Sequence, residues 1–247
     1  MVRIYEALEQ AQRERAKKAL TPLVLVPLPE VRAGKRYDVS DVEEREMIRL
    51  YKNLENLPTG SLNKVVQFIG AHEGAGTSTI ARTFAMVSAS RLGKLVVLVD
   101  ADMVNPQQYL FFGVRPEHTW EDVLKKTSWG KTLLQIGDMS LYLLPISCRG
   151  FDPPHKFYSS ALVEFWGKLK KKFDLVIVDS SPASMSSEGM SLSNTVDGVV
   201  LVVEADKTRR PVARNGLEMI RKSGGNVLGV VFNRHRYYIP ESIYRKL

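Results

Sequence analysis

Apolar positions along this chain fall into two regimes. In the first sixty residues they recur at helical spacing. Ile4, Leu8 and Ala11 share one face of a helix within residues 1–20, and Arg13, Arg15, Lys17 and Lys18 crowd its second half. Pro22, Pro27 and Pro29 then force an extended linker. A second helix is predicted from about Asp41 to Leu57, with Met47, Ile48, Tyr51 and Leu54 as its apolar stripe. Asp41 is its expected N-cap, and Pro58-Thr59-Gly60 stops it.

From Lys64 the pattern becomes short apolar runs separated by helical stretches. Val65, Val66, Phe68 and Ile69 form a buried strand, followed by the glycine-rich turn GAHEGAGTST. A helix runs from Thr79 to about Leu92 and ends at Gly93. Leu95 to Val99 is the next strand, unbroken in apolarity as in a parallel sheet covered on both faces. Strands at 141–146, 175–178, 198–203 and 227–233 follow, with helices near 159–172 and 211–222. Strands alternating with helices predict a doubly wound α/β fold with a mostly parallel sheet. The chain divides into a helix and linker over residues 1–40 and an α/β domain over 41–247.

Composition narrows the class. The chain has 247 residues, of which 44% are hydrophobic and 25% charged, values of an ordinary globular domain rather than a disordered or collagen-like chain. One cysteine excludes an internal disulfide. No apolar run reaches the length of a membrane span, and the charged N-terminus lacks the core of a secretory signal, so the cytoplasm is the expected compartment. A net charge of +8 favours anionic partners: nucleotide, nucleic acid or the acidic inner face of a membrane. The basic residues are spread along the chain, so a merely soluble basic surface is an equal reading.

The candidate chemistry sits in Gly70-Ala-His-Glu-Gly74-Ala75-Gly76-Thr77-Ser78-Thr79, which leaves a strand and enters a helix. Glycines there let backbone amides close on a phosphate, and the helix N-terminus adds positive potential. Ser78 and Thr79 stand where hydroxyls bind magnesium and a phosphate oxygen. A tight turn with no ligand is the plain alternative. Two more strands end in carboxylates: LVVLV in Asp100-Ala-Asp102 and LVIV in Asp179-Ser-Ser-Pro182. Parallel strands bring such ends to the edge where open α/β sheets bind ligands. Acidic groups beside a phosphate cradle make sense with magnesium between them, held by Ser78, Asp100 and Asp179. Asp100 and Asp102 are the candidate catalytic carboxylates. Helix capping is the alternative, weightier for Asp102.

The loop, LVVLVDADM, LVIVDSSP, VDGVVLVVEADKT and NVLGVVFN together resemble the cytoplasmic bacterial tyrosine kinases of capsule and exopolysaccharide synthesis. These belong to the deviant-Walker group of P-loop proteins that includes the division-site and partition ATPases. The resemblance covers about residues 43–233. It implies binding of ATP and magnesium and a membrane polysaccharide co-polymerase as partner. Glu46, Arg49 and Lys52 are similar to the family's Glu-x-x-Arg-x-x-Arg oligomerisation helix, which implies a homo-oligomer. The opening MVRIYEALEQAQRER is similar to the N-terminal helix of members encoded with exopolysaccharide loci, which implies docking at the inner membrane face or on the partner. Two positions depart from the pattern: Thr77 stands in the place of the phosphate-loop lysine, and Val104 in that of the arginine of Asp-x-Asp-x-Arg.

The C-terminus carries Tyr237, Tyr238 and Tyr244. In the resembling kinases a C-terminal tyrosine cluster is the autophosphorylation site; packing on the sheet edge is the alternative. The four histidines show no ligand spacing, Cys148 stands in no motif, and Trp120, Trp129 and Trp166 read as core or interface residues. No DNA-reading motif is visible, so no specific nucleic acid is expected. Three functions stay open: a tyrosine autokinase working with a co-polymerase, a regulatory relative that transfers no phosphate, and a partition or positioning ATPase.

Overall fold

The computed structural model describes residues 39–56, 64–117, 132–145, 160–183 and 187–235. The helix expected within residues 1–20, the linker and the terminal tyrosines lie outside the described residues, as do Cys148, Trp120 and Trp129. The described elements are α1 (Asp41–Glu55), β1 (Lys64–Gly70), α2 (Thr77–Ser90), β2 (Val96–Ala101), α3 (Gln108–Phe112), β3 (Leu134–Gln135), β4 (Leu141–Leu144), α4 (Ser160–Lys170), β5 (Leu175–Ser180), α5 (Ser187–Leu192), β6 (Gly198–Glu204), α6 (Arg210–Lys222) and β7 (Val227–Asn233).

The strands form one sheet in the order β3-β4-β2-β5-β1-β6-β7. All neighbours are parallel except β3 and β4, so the doubly wound, mostly parallel fold stands. β1 lies between β5 and β6, and every residue of β1, β2, β5 and β6 is buried. That explains their continuous apolar runs: both faces of these strands are covered. The one polar interruption in β1, Gln67, is fully buried and satisfied. Its Nε2 donates to Ser180 Oγ at 2.9 Å and to the Gly189 carbonyl at 2.7 Å, while Ser193 Oγ donates to its Oε1 at 2.9 Å.

Strand alternation divides the core. Val66 and Phe68 pack with Phe84 and Ala81 of α2 and with Met47 and Leu54 of α1. Val65, Val176 and Val178 face the other side, against Leu162, Trp166 and Leu169 of α4. Trp166 is thus a core residue, its Nε1 donating to Thr195 Oγ1 at 3.0 Å. Ile69 and Leu201 pack with Ile220 of α6.

Several predicted boundaries shift. The N-cap of α1 is Ser40 rather than Asp41: Ser40 accepts from the Glu43 amide, and the Glu43 carboxylate accepts from the Ser40 amide. This reciprocal capping box satisfies two amides where Asp41 would satisfy one. The helix after the glycine loop starts at Thr77, two residues earlier than predicted, with Gly76 as its cap. Helices α3 and α5 and the two-residue β3 were not predicted. Each is too short for a hydrophobic period to register.

Candidate functional site

The loop between β1 and α2 meets the C-terminal ends of β2 and β5. Gly74 and Gly76 take φ of +77° and +86°, the left-handed region that side chains resist. A Cβ on Gly76 would lie 2.0 Å from Asn233 Nδ2, so the residue has to be glycine on both counts. The loop then runs straight into α2, whose first amides have no intrahelical acceptor and stay available to an anion. Thr77 is buried, and its Oγ1 lies 2.5 Å from where a Cβ of Gly70 would be. The residue in the lysine place therefore packs under the loop.

Register fixes the carboxylates. Asp100 and Asp179 are directly paired across β2 and β5. Both are almost completely buried. Asp100 Oδ2 accepts from the Gln108 amide at 3.1 Å and its Oδ1 from the Asp102 amide at 3.4 Å. Asp179 Oδ2 accepts from Gln108 Nε2 at 2.7 Å, while Oδ1 has no hydrogen-bond partner. Burial raises the Asp179 carboxyl to about 7, against the opposing hydrogen bond of Gln108. Burial, and then the Asp179 charge, push Asp100 well above the usual carboxylate range. Two adjacent buried carboxyls with one orphan oxygen are poorly stable as two free anions; a cation or a retained proton relieves them.

Asp102 is placed differently. Its Oδ1 accepts from Ser181 Oγ at 2.7 Å and from the Val104 and Asn105 amides at 3.0 Å each. It caps the turn after β2 and ties that turn to the end of β5. Val104 is exposed on this turn. Among the described residues no group of three His, Cys, Asp or Glu side chains could hold a metal alone. A magnesium ion needs no such cage: it binds through one or two carboxylates and completes its shell with phosphate oxygens and water. Asp179 Oδ1, Asp100 and the Ser78 hydroxyl fit that requirement.

Four neighbouring residues are not among the candidate site residues that the sequence offers. Gln108 is fully buried between the two carboxylates. Asn233 Nδ2 donates to the Ala75 carbonyl at 2.8 Å. Arg234 Nη1 donates to Glu204 Oε1 at 2.8 Å and reaches the Gly74 carbonyl at 3.5 Å. The Arg234 and Lys207 contacts hold Glu204 below the usual carboxylate range. His72 Nε2 lies 2.8 Å from Thr208 Oγ1. Asn233 and His72 had a signal, since one ends a strand at the ligand edge and the other stands in the loop. Gln108 had none.

Arg82 and Lys94 follow the loop in the chain. Arg82 Nη1 donates to Gln108 Oε1 at 3.1 Å, and its guanidinium lies 3.6 Å over the Phe111 ring. Burial lowers its pKa, opposed by the charges of Asp179 and Asp100. Lys94 instead lies over the Tyr51 ring of α1 at 5.6 Å. On α1, Arg49 Nη1 pairs with Glu46 Oε1 at 3.1 Å, and Glu46, Arg49 and Lys52 are all exposed.

A glycine loop entering a helix N-terminus, with acidic strand ends on adjacent parallel strands, is the plan of a P-loop NTPase fold. The chain belongs to the ParA family, described as NUBPL iron-transfer P-loop NTPases, whose model matches residues 61–246. Its relatives include the bacterial tyrosine-protein kinases of capsule and exopolysaccharide biosynthesis, as the sequence resemblance implied. CapB of Staphylococcus aureus is 22% identical over 167 residues, covering 67% of this chain and 73% of CapB. Tyrosine-protein kinase CpsD of Streptococcus agalactiae is 25% identical over 183 residues, covering 71% of this chain and 76% of CpsD. The succinoglycan biosynthesis transport protein ExoP of Rhizobium meliloti is 25% identical over 184 residues, 73% of this chain but 23% of ExoP. Among solved structures, the chimerical protein CapA2B2 matches with a TM-score of 0.69 at 23% identity, covering 78% of this chain and 85% of that one. The kinase domain of the Escherichia coli tyrosine kinase ETK also gives 0.69, at 18% identity, covering 85% and 88%. Among the described residues no helix is long and apolar enough to cross a membrane.

Proposed function

We propose that this chain is the magnesium-nucleotide-binding, tyrosine-kinase-type component of a capsule or exopolysaccharide assembly system. The single observation that carries the binding claim is the orphan Oδ1 of buried Asp179, beside Asp100 and the N-terminus of α2. Backbone amides from Gly74 to Thr79 bind the phosphates. Ser78, Asp100 and Asp179 hold the magnesium, which neutralises phosphate charge when bound. ATP is the donor and the terminal tyrosines Tyr237, Tyr238 and Tyr244 are the acceptors.

Phosphoryl transfer then needs a cation that Thr77 does not supply. A charge-assisted contact to the phosphates is worth about 1.5–3 kcal/mol in binding, and stabilising transition-state charge is worth more. The cytoplasmic tail of a membrane polysaccharide co-polymerase is the proposed source. The alignment to 23% of ExoP supports this pairing, since a segment similar to this chain is there part of a larger transport protein. Glu46, Arg49 and Lys52 form the proposed contact between copies of this chain, and the helix within residues 1–20 docks at the inner membrane face or on the partner. The iron-transfer reading is less well supported, because iron–sulfur clusters are held by sets of cysteine thiolates and this chain has one cysteine.

Incubation with ATP, magnesium and the purified partner tail, read by phosphotyrosine mass spectrometry, tests the transfer. Label on Tyr237, Tyr238 or Tyr244 that depends on the tail supports it. Nucleotide binding without label under any condition favours the second reading, a regulatory relative that binds but does not transfer. The buried packing of Thr77 under Gly70 is what favours that second reading.

A further inference from the structure

We propose that Gln108 is the positioning residue of the candidate magnesium site, an inference that rests on the nucleotide-binding reading above. Gln108 is fully buried, and its bonding capacity is spent on the site. Its backbone amide donates to Asp100 Oδ2. Its Nε2 donates to Asp179 Oδ2 at 2.7 Å and to the Ser78 carbonyl at 3.0 Å, which uses both amide hydrogens. Its Oε1 accepts from Arg82. One residue therefore touches all three candidate metal ligands, which come from α2, β2 and β5.

The consequence for Asp179 is specific. With the Gln108 amide on Oδ2, Oδ1 is the oxygen of this carboxyl without a partner and the one open to a cation. Removing the amide frees the carboxyl to rotate and detaches it from the first turn of α2. Outer hydrogen bonds to a ligating carboxylate orient it, and their loss costs about 10–100-fold in metal affinity. No close substitute exists: Glu has the shape without the donor and adds a third buried charge, and Asn is one methylene too short to span the pair.

The test is calorimetric titration of the full chain with ADP, with and without magnesium, for the wild type, Gln108→Ala and Asp179→Asn. The expected result is a magnesium-dependent gain in the wild type that shrinks about tenfold or more in Gln108→Ala, while metal-free ADP affinity stays unchanged. A purely structural role would move both affinities together and overturn the proposal. A variant that keeps the full magnesium gain, or binds the metal more tightly, also overturns it. If Gln108→Ala does not fold, Gln108→Asn is judged by the same split. Failure of the underlying reading looks different: the wild type itself shows no gain, or Asp179→Asn retains it.

Discussion

Asn233 and Ala75 stand 158 positions apart in the chain and are joined by one hydrogen bond, from Asn233 Nδ2 to the Ala75 carbonyl. The end of β7 is thereby pinned onto the glycine loop, and the contact is possible only because Gly76 has no side chain. Gly76→Ala would displace Asn233 and impose a strained φ, costing on the order of 1–3 kcal/mol for the backbone alone. Urea unfolding should show that loss. Adding Asn233→Ala should relieve the clash but leave the φ strain, so the double variant stays less stable than the wild type.

Stability of the ligand-free protein should depend on pH through Asp179. Its carboxyl is raised to about 7 in the fold, from 3.8 when exposed. The folded state thus binds more protons than the unfolded state between these values, so stability falls as pH rises from about 4 to 7 and levels off above. Asp100 shifts in the same direction. The effect is on the order of a few kcal/mol. Denaturation midpoints at pH 5.5, 7 and 8.5 measure it. Asp179→Asn should flatten the profile and raise the midpoint at pH 8.5.

Thr77→Lys should tighten nucleotide binding by about 10- to 150-fold, the worth of one charge-assisted contact. Fluorescence titration with a labelled nucleotide measures this. An unchanged affinity would mean that another cation already serves the phosphates, and Arg82, held on Gln108 and Phe111, is then the first to substitute.

Self-association should run through the exposed side of α1. The Arg49–Glu46 pair is an exposed i,i+3 contact worth about 0.2–0.5 kcal/mol within the helix, so it is easily traded for a neighbour's charge. Light scattering on the wild type and Arg49→Glu should show a larger mass for the wild type at high concentration. Equal masses in both would leave this face merely solvated.

Much of this frame was legible in the sequence. Buried parallel strands read as apolar runs, so β1, β2, β5 and β6 stood out, and the acidic ends of β2 and β5 located the site. The glycine loop announced the tight turn from β1 into α2. Gln108 was not legible, because a polar residue on a five-residue helix has neither period nor motif, and its role comes wholly from tertiary contact. The difference between Asp100 and Asp102 was legible only in part, as the greater weight of capping at Asp102. Spacing puts both at one strand end, and only the Ser181 and turn contacts show that Asp102 faces the backbone.

The most direct measurement is the affinity for ADP with and without magnesium, in the wild type and in Asp179→Asn. If the orphan oxygen of Asp179 is a metal ligand, magnesium tightens ADP binding to the wild type, and Asp179→Asn abolishes that gain while still binding metal-free ADP. No detectable binding at millimolar nucleotide with magnesium present, or an equal magnesium gain in Asp179→Asn, would contradict it.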